Sequence, residues 1–521
     1  MQNKLEFVTN WFGGLNVGAT PAFVNNQLTG KQLLHCLRIS DSEFIISDGS
    51  DALIEALFDV KEDVKELGLR ILVDDKDAQL PSGEFERFTD MYEHRFPAPI
   101  PRELGRDQFK STDPWSIIFT SGTTGLPKAA GLTHWSTMKM NTTKLMLGMK
   151  PGDVAYSGLP LYHAYASQLG IAGSIHAGGT IAIADKFSAS NYWKEVFECN
   201  AKYIHYIGEM MRYVVESPES PYDKAHGVRV AAGSQLRYDV WPKLTKRFGD
   251  FWVYEIYGST EGNVQFANIL NDEATIIRHS PFIRAISGTE LIKFDPIEEK
   301  ILRNEKGFAI RADYDEPGLL VGAIRDDLPF EGYYNDDGKT EEKILRNLFK
   351  EGDVFFDTGD LLKKDKEYKL TFSDRVGDTY RWKGENVSTL EVANTIGESC
   401  EFVHEANVYG IKIPWAEGAC GAAALTLKSG KGELTASGEK LFERMTKTMP
   451  AYQRPMFIRV QPEIEMTGTF KFRKVELVKE GYDVSKFEEG VSSYFYSRQE
   501  KSFVPLTMEM VRRIDSGELK F

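Results

Sequence analysis

The sequence predicts a layered α/β protein of more than one domain. Three observations predict it: helix-patterned stretches alternate with short apolar strands, no internal repeat or low-complexity tract breaks the alternation, and 521 residues exceed one ordinary domain. In chain order, "NYWKEVFECN" from Asn191 carries helical spacing, and "AKYIHYIG" from Ala201 reads as a strand. "GVRVAAG" from Gly227 is a second strand, "DVWPKLTKRFG" from Asp239 a helix with Pro near its start, and "FWVYEIYG" from Phe251 a third strand. The longest uncharged stretch, Val154 to Ala184, could span a bilayer by length alone. Its proline, glycines, histidines and hydroxyls make it a buried strand and helix instead. After about Asp360 the composition shifts. "LLKKDKEYKLTFSDRVGD" is polar and hairpin-like, so a domain boundary is expected near Asp374–Gly377, dividing residues 1–374 from 375–521.

Composition narrows the function. A formal net charge of −14 argues against general nucleic-acid binding, which wants a basic face. Cys36, Cys199, Cys400 and Cys420 form no CxxC pair, so neither a zinc site nor a disulfide framework is expected. The start, from Met1 through Glu6, has no long apolar run, so no targeting segment is expected.

Five motifs carry chemistry. In "IIFTSGTTGLPKAAGLTHW", from Ile117, a strand runs into a Gly- and hydroxyl-rich loop. Such a loop lets backbone N–H groups approach phosphate oxygens, and Lys128 adds a cation. The plain alternative is a surface turn. It is not the common P-loop, whose lysine follows Gly and precedes Ser or Thr; here Lys128 lies between Pro127 and Ala129. "YGSTEG" (Tyr257–Gly262) follows a strand; its Thr and Glu can hold a phosphate oxygen and Mg²⁺, or simply cap a helix. In "FFDTGDLL", Asp360 can accept from ribose hydroxyls or cap a turn. "DRVGDTYRWKGENVSTLEV" and "EMTGTFKFRKVEL" complete the set.

In this order and at these distances, the motifs resemble the acyl-adenylating superfamily of acyl-CoA synthetases, luciferases and peptide-synthetase adenylation domains. "DRVGDTYRWKGENVST", "PAYQRPMFIRVQPEIEMTGTFKFRKVELVKEGYD" and "YFYSRQEKSFVPLT" are similar to its fatty acid transport protein branch, which holds very-long-chain acyl-CoA synthetases. The resemblance implies a large multi-sheet N-terminal adenylate-forming domain and a small mobile α+β C-terminal domain, hinged near residues 374–378.

It also implies roles. Thr120, Ser121, Gly122, Thr123, Thr124, Gly125 and Lys128 match the phosphate loop. Tyr257 matches the adenine-stacking aromatic, Thr260 the phosphate-contacting Thr and Glu261 the Mg²⁺ ligand. Asp360 and Arg375 match the ribose-holding pair. Lys471 matches the lysine that reaches the carboxylate and α-phosphate during adenylation. Gly384, with Glu385, lies on the path of the CoA thiol. His163 and Gly208, in "LPLYHAYA" and "HYIGEMMRYVVE", fall where relatives shape the acyl pocket; core packing explains them as readily. Gly233, Ser234 and Gln235 stand in the adenine-facing loop, where relatives read Gly-Asn-Gly. If the third position requires positive φ, Gln235 is strained by about 1–2 kcal/mol.

The resemblance implies an acid–thiol ligase for long- or very-long-chain fatty acids, with ATP, Mg²⁺ and coenzyme A, linked to fatty acid uptake. The alternatives are a ligase for another acid, such as a bile acid, and a non-catalytic lipid-binding or transport protein. The expected location is intracellular, at the cytosolic face of the endoplasmic reticulum or plasma membrane, with peripheral membrane contact and a homo-oligomer left open. The first residues match a segment inside the family's N-terminal domain, so a shortened member is expected.

Overall fold

In the computed structural model, the described residues are 1–81, 83–92, 109–120, 126–237, 239–273, 275–295, 298–416, 418–428, 434, 437–466 and 472–521. The chain divides into two compact units, residues 1–274 with 324–344, and residues 275–323 with 345–521.

The first unit is built on two sheets that carry sequence motifs. Strands β1 (Pro114–Thr120) and β2 (Lys128–Thr133) pair antiparallel, and β1 also pairs parallel with Ala22–Phe23. Helix α1 (His134–Met146) follows, its N-terminus capped by the Thr133 hydroxyl, which accepts from the Ser136 N–H. The larger sheet comprises β3 (Val154–Ser157), β4 (Thr180–Ile183), β5 (Tyr203–Ile207), β6 (Val230–Ser234), β7 (Trp252–Gly258) and β8 (Gln265–Asn268). Its order is β8-β7-β6-β5-β3-β4. The strands are parallel except β8, which turns back antiparallel on β7. The stretch 154–184 supplies β3, a π-helix at Tyr165–Ala172 and β4, as its breakers suggested. Among the described residues no helix is long and apolar enough to cross a membrane.

Helix α2 (Gly208–Glu216) leaves the end of β5, and its Met211 and Val214 pack with Trp193, Val196, Trp241, Leu244 and Phe248 in one core cluster. Continuous apolar strands such as β5 suit a parallel sheet covered on both faces.

In the second unit, β9 (Thr289–Ile292), β10 (Pro317–Ala323), β11 (Val354–Lys364) and β12 (Lys369–Arg375) form an antiparallel meander. A two-stranded ribbon, β13 (Tyr380–Trp382) and β14 (Glu385–Val387), leads into α3 (Thr389–Ser399). A five-stranded sheet completes the chain: β15 (Val403–Ile411), β16 (Cys420–Leu427), β17 (Phe457–Val460), β18 (Ser492–Ser497) and β19 (Ser502–Pro505). Its core gathers Val408, Ala423, Leu425, Ile458 and Phe495 with Leu441 and Met445 of the helix Gly438–Thr448. A large N-terminal part with several sheets and a small C-terminal α+β part match the expected fold class.

Candidate functional site

The opening motif is a hairpin. Thr120 closes β1 and Lys128 opens β2 directly opposite, and the Thr120 hydroxyl donates to the Lys128 carbonyl at 3.3 Å. Ser121, Gly122, Thr123, Thr124 and Gly125 lie outside the described residues. Sequence reading missed what Lys128 meets. Its Nζ stands 4.7 Å from the centre of the Tyr333 ring, within cation–π range.

The same tyrosine reaches the second motif. "YGSTEG" is the connection from β7 to β8, not a helix cap, and it holds Thr260 and Glu261 half-buried. Tyr333 Oη donates to Glu261 Oε1 at 3.0 Å. Burial first, then the Glu261 carboxylate, pushes the Tyr333 phenol above its ordinary range, so it stays protonated and donates. Tyr333 is held in turn: it is 6% exposed, its N–H donates to Thr340 Oγ1 at 2.8 Å, and its backbone bridges to Ala130 of β2. Lys128 and Glu261, 133 residues apart, are thereby joined through one ring. The only local signal was the aromatic pair in "FEGYYND".

Tyr257, next to last in β7, stands opposite Phe266 of β8, their rings 6.0 Å apart and stacked. Of the stretch Gly233–Ser234–Gln235, the first two residues end the neighbouring β6 and Gln235 follows as the chain leaves the strand. Gln235 has φ 65°, the left-handed region, so the conditional strain of about 1–2 kcal/mol applies. Gly208 begins α2 directly beneath: a Cβ there would lie 1.7 Å from the Gln235 carbonyl oxygen. The structure thus gives Gly208 a packing reason to be glycine, one visible only in three dimensions. His163 is half-buried just before the π-helix, its ring 4.4 Å from that of Tyr162.

In the second unit, Asp360 of β11 and Arg375 of β12 are cross-strand partners, with Arg375 Nε 3.5 Å from Asp360 Oδ1. Gly384 occupies the tip of the β13–β14 turn with φ 87°, and Lys383 before it has φ 54°. Two positive φ values make the type I′ turn that matches strand twist. Glu385 follows at the exposed start of β14. Lys471 lies outside the described residues. The flanking chain forms a hairpin base: Met466 bridges Phe472, and the Arg473 N–H donates to the Glu465 carbonyl at 2.9 Å. Lys474 then joins the hinge motif, donating to Thr389 Oγ1 at 2.8 Å and standing 3.3 Å from Asp378.

Among the described residues no cluster of three or more His, Cys, Asp or Glu could hold a metal ion. Mg²⁺ is usually carried by one or two carboxylates together with substrate phosphates and water, so such a cluster is not required for it.

Residues 1–307 match the AMP-binding enzyme family, and residues 394–471 match the AMP-binding enzyme C-terminal domain. Long-chain fatty acid transport protein 2 of Rattus norvegicus is 39% identical over 520 residues, covering 100% of this chain and 82% of that protein. The chain belongs to the AMP-binding enzyme family, in its fatty acid transport protein branch. A very long-chain fatty acid transport protein of Cochliobolus heterostrophus is 33% identical, over 93% of this chain and 74% of its own. Among solved structures, ATP-bound MatB from Rhodopseudomonas palustris superposes with a TM-score of 0.74 at 18% identity, covering 93% of this chain and 88% of that one. At that identity the likeness speaks for the fold alone.

Proposed function

We propose that this protein activates a long- or very-long-chain fatty acid with ATP and passes the acyl group to coenzyme A. The observation that carries the reading is the Lys128–Tyr333–Glu261 linkage: a cation and a carboxylate held by one phenol, beside the end of a Gly-rich hairpin loop.

The chemistry needs such a set. A free carboxylate is a poor acyl donor because its leaving group would be oxide. Attack of the carboxylate on the α-phosphate of ATP makes acyl-adenylate and releases pyrophosphate, and two anions must meet. Lys128 and Lys471 offset their repulsion in the transition state. Mg²⁺, when bound, supplies further positive charge at the phosphates. Glu261 fits as its ligand, since a half-buried carboxylate is the hard oxygen donor that this ion takes. Thr120 through Gly125 cradle the phosphates, Thr260 contacts one, Tyr257 stacks on adenine, and Asp360 with Arg375 holds the ribose. The thiol of coenzyme A then displaces AMP along the path at Gly384 and Glu385.

Between the two steps, residues 375–521 rotate about a hinge at 374–378. Gly377, with φ 89°, supports the choice, because glycine absorbs large backbone changes. His163 and Gly208 line the acyl pocket in this reading. The names of the relatives support a fatty acid as substrate, and thioester formation would trap it inside the cell at a membrane surface.

ATP–pyrophosphate exchange with acids of graded length tests the proposal. Acid-dependent exchange is expected, greatest with long chains, and Glu261→Gln should cut it strongly at low Mg²⁺ while the fold survives. Absence of exchange in folded, purified protein would sink the ligase reading and leave a lipid carrier on the same fold.

A further inference from the structure

Three neighbouring strands meet beside the turn at Gln235. Register places Tyr206 of β5, Gly233 of β6 and Glu255 of β7 in one cross-strand row. The Tyr206 ring lies across Gly233: a Cβ on that glycine would meet three ring carbons at 2.3–2.4 Å. Passing over the glycine, Tyr206 Oη donates to Glu255 Oε1 at 3.2 Å. The same carboxylate accepts the Leu236 N–H, at 3.2 Å to Oε1 and 3.0 Å to Oε2. Leu236 directly follows the left-handed Gln235, whose carbonyl rests on Gly208.

We infer that Glu255, steadied by Tyr206, is a positioning residue that holds the turn at Gln235, just after β6, in its left-handed shape for nucleotide binding. The inference rests on the reading that this turn faces adenine. The turn needs a holder. A left-handed Gln is disfavoured, and the Leu236 N–H stands at the end of a strand with no ladder partner among the hydrogen bonds it makes. A carboxylate there satisfies that N–H and takes a second donor from a fully buried phenol. Glu255 is half-buried, and loss of water around it pushes its carboxyl up to about 7. Near neutral pH the carboxyl is shared between its neutral and charged forms, and either form offers an oxygen to accept the Leu236 N–H. Tyr257 lies two residues further along β7, hence on the same face of the strand. One strand therefore sets both the proposed adenine-stacking ring and the loop facing it.

The test compares wild type with Glu255→Ala, Glu255→Gln and Tyr206→Phe. ATP binding is followed by calorimetry, and pyrophosphate exchange gives KM for ATP, KM for the acid and kcat. Loss of a hydrogen-bonded buried partner predicts that Glu255→Ala raises KM for ATP about tenfold to a hundredfold, with kcat at saturating ATP and KM for the acid changed less than about twofold. Glu255→Gln keeps an oxygen for the Leu236 N–H and should recover most of the ATP affinity. Tyr206→Phe should raise KM for ATP by about threefold. An unchanged KM for ATP in Glu255→Ala overturns the inference, as does an equal loss of kcat and both KM values. If Glu255→Ala does not fold, Tyr206→Phe decides: a selective rise in KM for ATP supports the clasp, and no rise overturns it. Failure of wild type itself to bind ATP would remove the nucleotide reading, and the proposed role with it.

Discussion

The glycines under the loop after β6 and the glycine at the tip of the β13–β14 ribbon are the same residue for opposite reasons. At Gly208 and Gly233 the difficulty is space: a Cβ would stand 1.7 Å from a carbonyl oxygen at the first and 2.3 Å from a ring at the second. Neither has the left-handed φ that usually explains glycine. At Gly384 nothing lies within 4 Å of a Cβ, and the reason is φ 87°. The first pair serves neighbours that are distant in sequence. The last serves a turn four residues long. The lesson is that the first region is specified by packing across strands and the second by local backbone geometry, so damage should spread differently from each.

The largest effect should separate the two half-reactions. Lys471→Ala removes a charge aimed at the adenylation transition state, and loses that step by about 10²–10³. It should still convert supplied acyl-adenylate to thioester. Gly384→Leu should do the reverse. Because any side chain at φ 87° is strained, Gly384→Ala is its control and should keep both steps. Single-turnover assays decide, and equal loss of both steps in both variants breaks the rotating-domain reading.

Next in size is stability. Gly208→Ala must push the Gln235 backbone away and should cost about 3 kcal/mol, at the upper end of overpacking. Denaturant titration of Gly208→Ala beside Gly384→Ala sharpens the comparison. The latter should cost only about 1 kcal/mol, and Gly384→Asn less, since Asn tolerates the left-handed region. If Gly208→Ala proves as mild as Gly384→Ala, the close approach at α2 is not what demands glycine.

A smaller effect should appear in the pH dependence of the first region. Lys144 of α1 is fully buried, with its Nζ against His205 Nε2, and burial brings its ammonium down from 10.5 to about 7. Burial, then Lys144 itself, holds His205 well below its ordinary value. Between about pH 7 and 10.5 the unfolded chain binds a proton at Lys144 that the folded chain does not, so stability rises with pH across that window. Thermal melts of Lys144→Met should show a flatter slope there. An unchanged slope would mean that Lys144 is charged in the fold.

Much of this was legible beforehand. Alternating patterns placed β5, β6, β7 and the helix Trp241–Phe248, because periodicity and turn residues act locally. The polar stretch from Leu361 formed the β11–β12 hairpin, and that pairing put Asp360 opposite Arg375. Tyr333 and Glu255 were not legible as site residues. Each matters through a partner far along the chain, Glu261 for one and Leu236 with Tyr206 for the other.

The sequence by itself determined the layered α/β class, the family and the motifs, since all of these reside in short runs whose order survives without coordinates. Only the tertiary structure decided which ring joins Lys128 to Glu261, why Gly208 and Gly233 admit no side chain, and what holds the Gln235 loop. Those depend on which strands lie side by side, and close approach between distant segments leaves no local pattern to read.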